Sequence, residues 1–113
     1  KIINVTSASG LIGAVGQSNY AAAKMGIVGL TKTWAKELGR LAINVNAIAP
    51  AALTAMTEPL VQDPDAAKQR YARFALGRYG APEEIAPGFV YLASKESDYV
   101  TGQVLCIDGG LVI

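Results

Sequence analysis

The chain contains no histidine, a single cysteine and few charged residues, and each shortage removes a class of chemistry. Without histidine there is no Ser-His-Asp triad, no Cys-His dyad and no common zinc site within these 113 residues. Cys106 alone cannot form an internal disulfide. It falls in an apolar, strand-like run, which predicts a buried, inert thiol and fits a reducing cytoplasm. Charged residues make up 17% of the chain and the net charge is +1, with no block of like charges. Neither nucleic acid nor an anionic membrane surface is therefore an expected partner. Lys24, Lys32, Lys36 and Glu37 interrupt the longest apolar stretch, so no membrane span is expected there. The chain opens directly on a strand-like run, with no visible signal peptide. Hydrophobic residues, in contrast, reach 51%, enough to predict a buried core within at most one domain.

The apolar residues are arranged in recognisable units. Lys1 to Thr6 is β-branched and suits a buried strand, and Ser7 to Gly16, rich in Ser, Ala and Gly, reads as a loop. Ser18 is placed to cap a helix in which Ile27, Leu30, Trp34 and Leu38 recur at helical spacing, with Gly39 as its stop. The Ala and Gly residues of its first half make that helix slim, which suits close helix packing. Leu41 to Ala49 predicts a second buried strand, ended by Pro50. Ala51 to Gly80 is a long mixed segment, helical from Asp65 to Phe74, and reads as a lid. Pro82 opens another helix, with Glu83 and Glu84 complementing its dipole and Pro87 set to kink it or delay its start. Gln103 to Ile107 is a third strand, followed by an Asp108-Gly109-Gly110 turn. This alternation argues for an α/β fold with a parallel sheet. Three strands are few where a doubly wound domain has about six, so the expectation is part of such a domain.

Chemistry concentrates at Tyr20 and Lys24, four residues apart and one helical turn from each other, with Ser7 thirteen residues before the tyrosine. An ammonium beside a phenol favours the phenolate, so the spacing predicts a tyrosine able to pass a proton near neutral pH. A nearby serine hydroxyl can hold a carbonyl oxygen. Tyr91 and Lys95 repeat the spacing, but Arg78 stands where a serine would be needed. Tyr91 is accordingly read as a core aromatic.

These pieces, taken in order, resemble the short-chain dehydrogenase/reductase family, and within it the 3-oxoacyl-acyl-carrier-protein reductase branch. The likeness covers all 113 residues but corresponds to the carboxyl-terminal half of a family member. It is carried by Asn4-Val5-Thr6-Ser7, by Tyr20-Ala21-Ala22-Ala23-Lys24 and by Ile43 to Pro50. Gly77-Arg78 through Pro82-Glu83-Glu84, Thr101-Gly102-Gln103 and Asp108-Gly109-Gly110 complete it. The resemblance implies the carboxyl-terminal half of a doubly wound, Rossmann-type parallel-sheet domain. It also implies an NAD(P)-dependent oxidoreductase interconverting a carbonyl and a secondary alcohol. Tyr20 would be the acid/base, Ser7 would hydrogen-bond the substrate oxygen, and Lys24 would tune Tyr20 and hold the nicotinamide ribose. Pro50, Ala51, Leu53 and Thr54 would line the nicotinamide.

Two departures from the family pattern stand out. Ala51 replaces the glycine that usually follows the proline, and Thr54 comes one residue early. The Gly-rich dinucleotide loop and the residue that selects NAD or NADP are expected before Lys1, so the resemblance leaves that choice open. Gly10, Gly13 and Gly16 are not that loop and are expected to turn the chain tightly near the substrate. A homodimer or homotetramer is implied for the complete protein. The alternative for this stretch alone is a non-catalytic fragment or assembly module.

Overall fold

The computed structural model describes residues 1–113. Three parallel strands, β1 (Ile2–Val5), β2 (Val45–Pro50) and β3 (Val104–Ile107), pair in the order β1-β2-β3. Asn4 lies opposite Ala47 and Ala47 opposite Val104, while Pro50 lies opposite Ile107. Four α-helices fill the connections: α1 (Ala8–Ile12) and α2 (Ser18–Leu38) between β1 and β2, then α3 (Pro64–Tyr71) and α4 (Pro82–Ala93) between β2 and β3, with short 3-10 turns besides. The 3-10 turns are Gly39–Leu41, Glu58–Val61 and Lys95–Ser97.

The register shows how the sheet is covered. Thr31 of α2 accepts a hydrogen bond from Asn4 at 2.9 Å, whereas Gly88 of α4 lies against Ile107 and Leu105. Asn4 and Val104 share one face, and Leu105 and Ile107 project from the other, because side chains alternate along a strand. Helices therefore cover both faces, and Val45 to Ala49 of the central strand are all buried.

Several local expectations need correction. The loop after β1 contains α1, whose N-cap is Ser7; the Ser7 Oγ accepts from the Ser9 backbone N–H at 3.3 Å. Ser18 is the first residue of α2 rather than its cap, and the capping position, Gln17, makes no side-chain cap bond. The buried stripe of α2 is Val28, Thr31 and Ala35, one residue on from the bulky series, and Leu30 is exposed. Slim side chains let the helix lie close to the sheet, and the larger ones flank that contact. Pro87 neither delays nor ends α4, which starts at Pro82 and runs through it. Tyr91 is 42% exposed and is no core aromatic. Cys106 is half-buried, and burial first, then the Asp108 carboxylate, pushes its thiol pKa up.

Candidate active site

The carboxyl ends of the parallel strands carry the predicted site, where open α/β sheets bind ligands. β1 leads out through Thr6 to Ser7, whose extended backbone and capping role fix the start of α1. The Ser7 Oγ only accepts in that cap, so its own proton remains free to donate. Gly10 brings α1 onto α2. A Cβ there would lie 2.9 Å from the carbonyl carbon and Cβ of Lys24 and from the Met25 nitrogen. Gly10 thus serves close approach, while Gly13 (φ +76°) and Gly16 (φ +79°) make the turns expected of them.

Two hydrogen bonds stitch the strand exit to α2 at one residue. Thr6 Oγ1 donates to the Lys24 carbonyl at 2.6 Å, and Lys24 Nζ donates to the Val5 carbonyl at 3.1 Å. The same ammonium stands 5.6 Å from the centre of the Tyr20 ring, within the range of a cation–π contact. Tyr20 is 43% exposed and its N–H is capped by Asn19 Oδ1 at 2.9 Å. The geometry thus joins Lys24 to Tyr20 directly, and to Ser7 through the β1 exit.

The second group of predicted residues follows β2. Ala51 is buried and its N–H bonds the Ile107 carbonyl at 3.0 Å. The strap then pairs with Gly80: Gly80 N–H donates to the Ala51 carbonyl at 3.2 Å, and Leu53 N–H to the Gly80 carbonyl at 2.8 Å. The Leu53 N–H is therefore committed within the chain. So is that of Thr54, which donates to Thr57 Oγ1 at 2.8 Å. Sequence reasoning missed Thr57. Its hydroxyl also donates to the Ala52 carbonyl at 2.8 Å and lies 3.3 Å from the Thr54 hydroxyl, so it organises the shortened loop. The signal was present as a second threonine three residues after Thr54. No helix is long and apolar enough to cross a membrane, and no group of three acidic, Cys or His side chains could hold a metal ion.

A parallel sheet covered by helices on both faces, with Tyr20, Lys24 and Ser7 at its carboxyl edge, is an α/β fold of the Rossmann type. A family model described as "Enoyl-(Acyl carrier protein) reductase" matches residues 1–112, and the chain belongs to the short-chain dehydrogenase/reductase family. It is 55% identical to the 3-oxoacyl-acyl-carrier-protein reductase of Thermotoga maritima, over 99% of this chain and 45% of that protein. The corresponding reductase of Chlamydia muridarum is 49% identical over 97% of the chain and 44% of its own length. Among solved structures, 4-hydroxyisoleucine dehydrogenase complexed with NADH superposes with a TM-score of 0.93 at 32% identity, covering 98% of this chain and 46% of that one. A putative 2-deoxy-d-gluconate 3-dehydrogenase from Agrobacterium tumefaciens with bound NADP gives 0.92 at 42% identity, covering 96% and 45%. The chain thus spans about 45% of the length of the curated relatives it matches.

Proposed function

We propose that the protein containing this chain is an NAD(P)-dependent oxidoreductase that interconverts a carbonyl and a secondary alcohol, with a 3-oxoacyl thioester as the substrate class. The observation that carries this reading is the Lys24 ammonium, tied to the β1 exit and set against the Tyr20 ring, with the Ser7 hydroxyl free to donate. In reduction, Tyr20 Oη gives its proton to the substrate oxygen, and Ser7 Oγ holds the same oxygen by a hydrogen bond. A nicotinamide cofactor, when bound, supplies the hydride.

The residues present fit the nicotinamide end of NAD or NADP. Lys24 and Tyr20 would hold its ribose, and Pro50, Ala51, Leu53 and Thr54 would line the ring. With the Leu53 and Thr54 N–H groups already paired, the Leu53 carbonyl and the exposed Thr54 hydroxyl are the polar groups offered to it. We read residues 1–113 as the carboxyl-terminal half of one dinucleotide-binding domain, with residues 51–80 as a substrate lid. Exposed Leu53, Met56, Leu60 and Leu76 give that lid an apolar surface suited to an acyl chain. We also assign a homodimer or homotetramer, on the exposed Met25 and Leu30 of α2, and a cytoplasmic setting, on the free thiol of Cys106.

The test uses the complete protein and follows oxidation of NADH and NADPH with a 3-oxoacyl thioester, a simple ketone and a 2-enoyl thioester. Turnover of the 3-oxo substrate, abolished in Tyr20→Phe, is expected. Turnover of the 2-enoyl thioester alone would replace carbonyl reduction by the chemistry that the family model's description names. Light scattering that shows a monomer at micromolar concentration would refute the assembly.

A further inference from the structure

We propose that Arg78 and Glu84 form a positioning latch that sets the 51–53 strap at the mouth of the site, and with it the groups that line the nicotinamide. The inference rests on the function proposed above. Arg78 Nη1 and Nη2 each meet one carboxylate oxygen of Glu84 at 2.7 Å, a two-pronged pairing. Arg78 Nη1 also donates to the Tyr79 carbonyl at 3.1 Å, and Glu84 Oε2 accepts from the Ala81 N–H at 2.8 Å. Together these contacts close a ring through the backbone on both sides of Gly80. Gly80 is the residue that holds Ala51 and Leu53, through bonds of 3.2 and 2.8 Å.

The ring has a second attachment. Tyr79 packs on Phe74 with ring centres 4.7 Å apart and on Tyr71 at 6.2 Å, and Tyr71 ends α3. One ion pair therefore anchors the strap and also the carboxyl end of the segment read as the lid. Arg78, Glu84, Gly80 and Ala51 all border a cleft of about 210 Å³, which Ile107 at the end of β3 also lines. The side chains of Arg78 and Glu84 are 54% and 49% exposed, so their attraction is screened and the pair is a weak source of global stability. Its worth lies in geometry. A ring of four short contacts removes freedom from residues 78–81, the irregular stretch that leads into the first turn of α4.

The latch is tested in the complete protein with Arg78→Ala and Glu84→Ala. Each should raise the KM for the dinucleotide about tenfold with kcat within about twofold, because the strap positions and does not transfer a proton. The Leu53 amide should exchange its hydrogen at least about tenfold faster, while the Ile48 amide in β2 is unchanged. Arg78→Lys keeps the charge but not the fork. It should show the same two changes at lower amplitude, and it serves if the alanine variants fail to fold. A change in melting temperature alone, with KM and Leu53 exchange at wild-type values, would overturn the latch. Faster Leu53 exchange with an unchanged KM would overturn its role at the site. A wild-type protein that binds dinucleotide but reduces no carbonyl would count against the parent reading and leave the KM test to be read as dinucleotide affinity.

Discussion

The junction of β1 with α2 and the segment from Ala51 to Gly80 both face the carboxyl edge of the sheet, yet they are built differently. The first places its groups on a strand end and a helix of 21 residues, and binds them to each other through backbone carbonyls of Val5 and Lys24. The second has a helix of eight residues and a 3-10 turn, closed on itself through Thr57 and Gly80 and tied to the turn after β3 by the Leu76 N–H, which donates to the Gly109 carbonyl at 2.9 Å. Proton transfer tolerates little displacement, and regular elements hold atoms more narrowly than turns do. On the proposal that residues 51–80 are a substrate lid, fewer fixed contacts leave that segment free to adapt to its ligand.

The comparison breaks most decisively at Tyr20. In the complete protein, Tyr20→Phe should lower turnover by roughly 10²–10⁴-fold with dinucleotide affinity within a few-fold, since the ring remains to pack. Tyr91→Phe should leave turnover within a few-fold, and equal behaviour of the two variants in steady-state kinetics would defeat the choice of Tyr20. Gly10→Ala probes the rigid side through packing alone. A methyl 2.9 Å from the Lys24 backbone forces α1 and α2 apart, and denaturant unfolding should show a loss of about 1–3 kcal/mol. An unchanged midpoint would mean that the two helices separate freely.

Thr57→Val sharpens the other side. It removes the partners of the Thr54 N–H and the Ala52 carbonyl, each bond contributing about 0.5–1.5 kcal/mol. Faster amide exchange and proteolysis within residues 53–58 should follow, with kcat nearly preserved; a large fall in kcat would make this loop part of the rigid machinery.

Acid gives the smallest effect. Hydrogen bonding to Arg78, then to the Ala81 N–H, lowers the Glu84 pKa to about 2 from an ordinary 4.5. A depressed carboxylate stabilises the folded state above its unfolded pKa, and this contribution fades as pH falls from 4.5 toward 2. The protection factor at Leu53, the intrinsic exchange rate at each pH divided by the observed one, should fall across that window, and in Glu84→Gln protection should not depend on pH there. A persisting dependence in the variant would assign the effect to another group.

Much of this contrast was legible in the chain itself, but unevenly. The three strands announced themselves by β-branched runs, and Tyr20 and Lys24 by spacing on one helix face. The five residues of α1 were not legible, because Ser9 and Gly10 have weak helical preference, five residues are too few to show a helical period, and the turn forms where Gly10 meets α2. The buried stripe of α2 was not legible for a related reason. Periodicity marks large side chains, whereas contact with the sheet selected Val28, Thr31 and Ala35. The commitment of the Leu53 N–H was equally hidden, since its partner, Gly80, lies 27 residues away and shares no pattern with it.

The lone thiol of β3 has a practical consequence. Cys106 sits on the strand face that α2 covers, half-shielded, with its ionisation held back by burial and by Asp108. Only a thiolate attacks a disulfide reagent, so labelling of the native protein should be slow and should quicken when α2 lifts or β3 detaches. As the one cysteine of these 113 residues, it would let an absorbance trace time the opening of the sheet's edge, turning an unreactive side chain into a clock for this half of the fold.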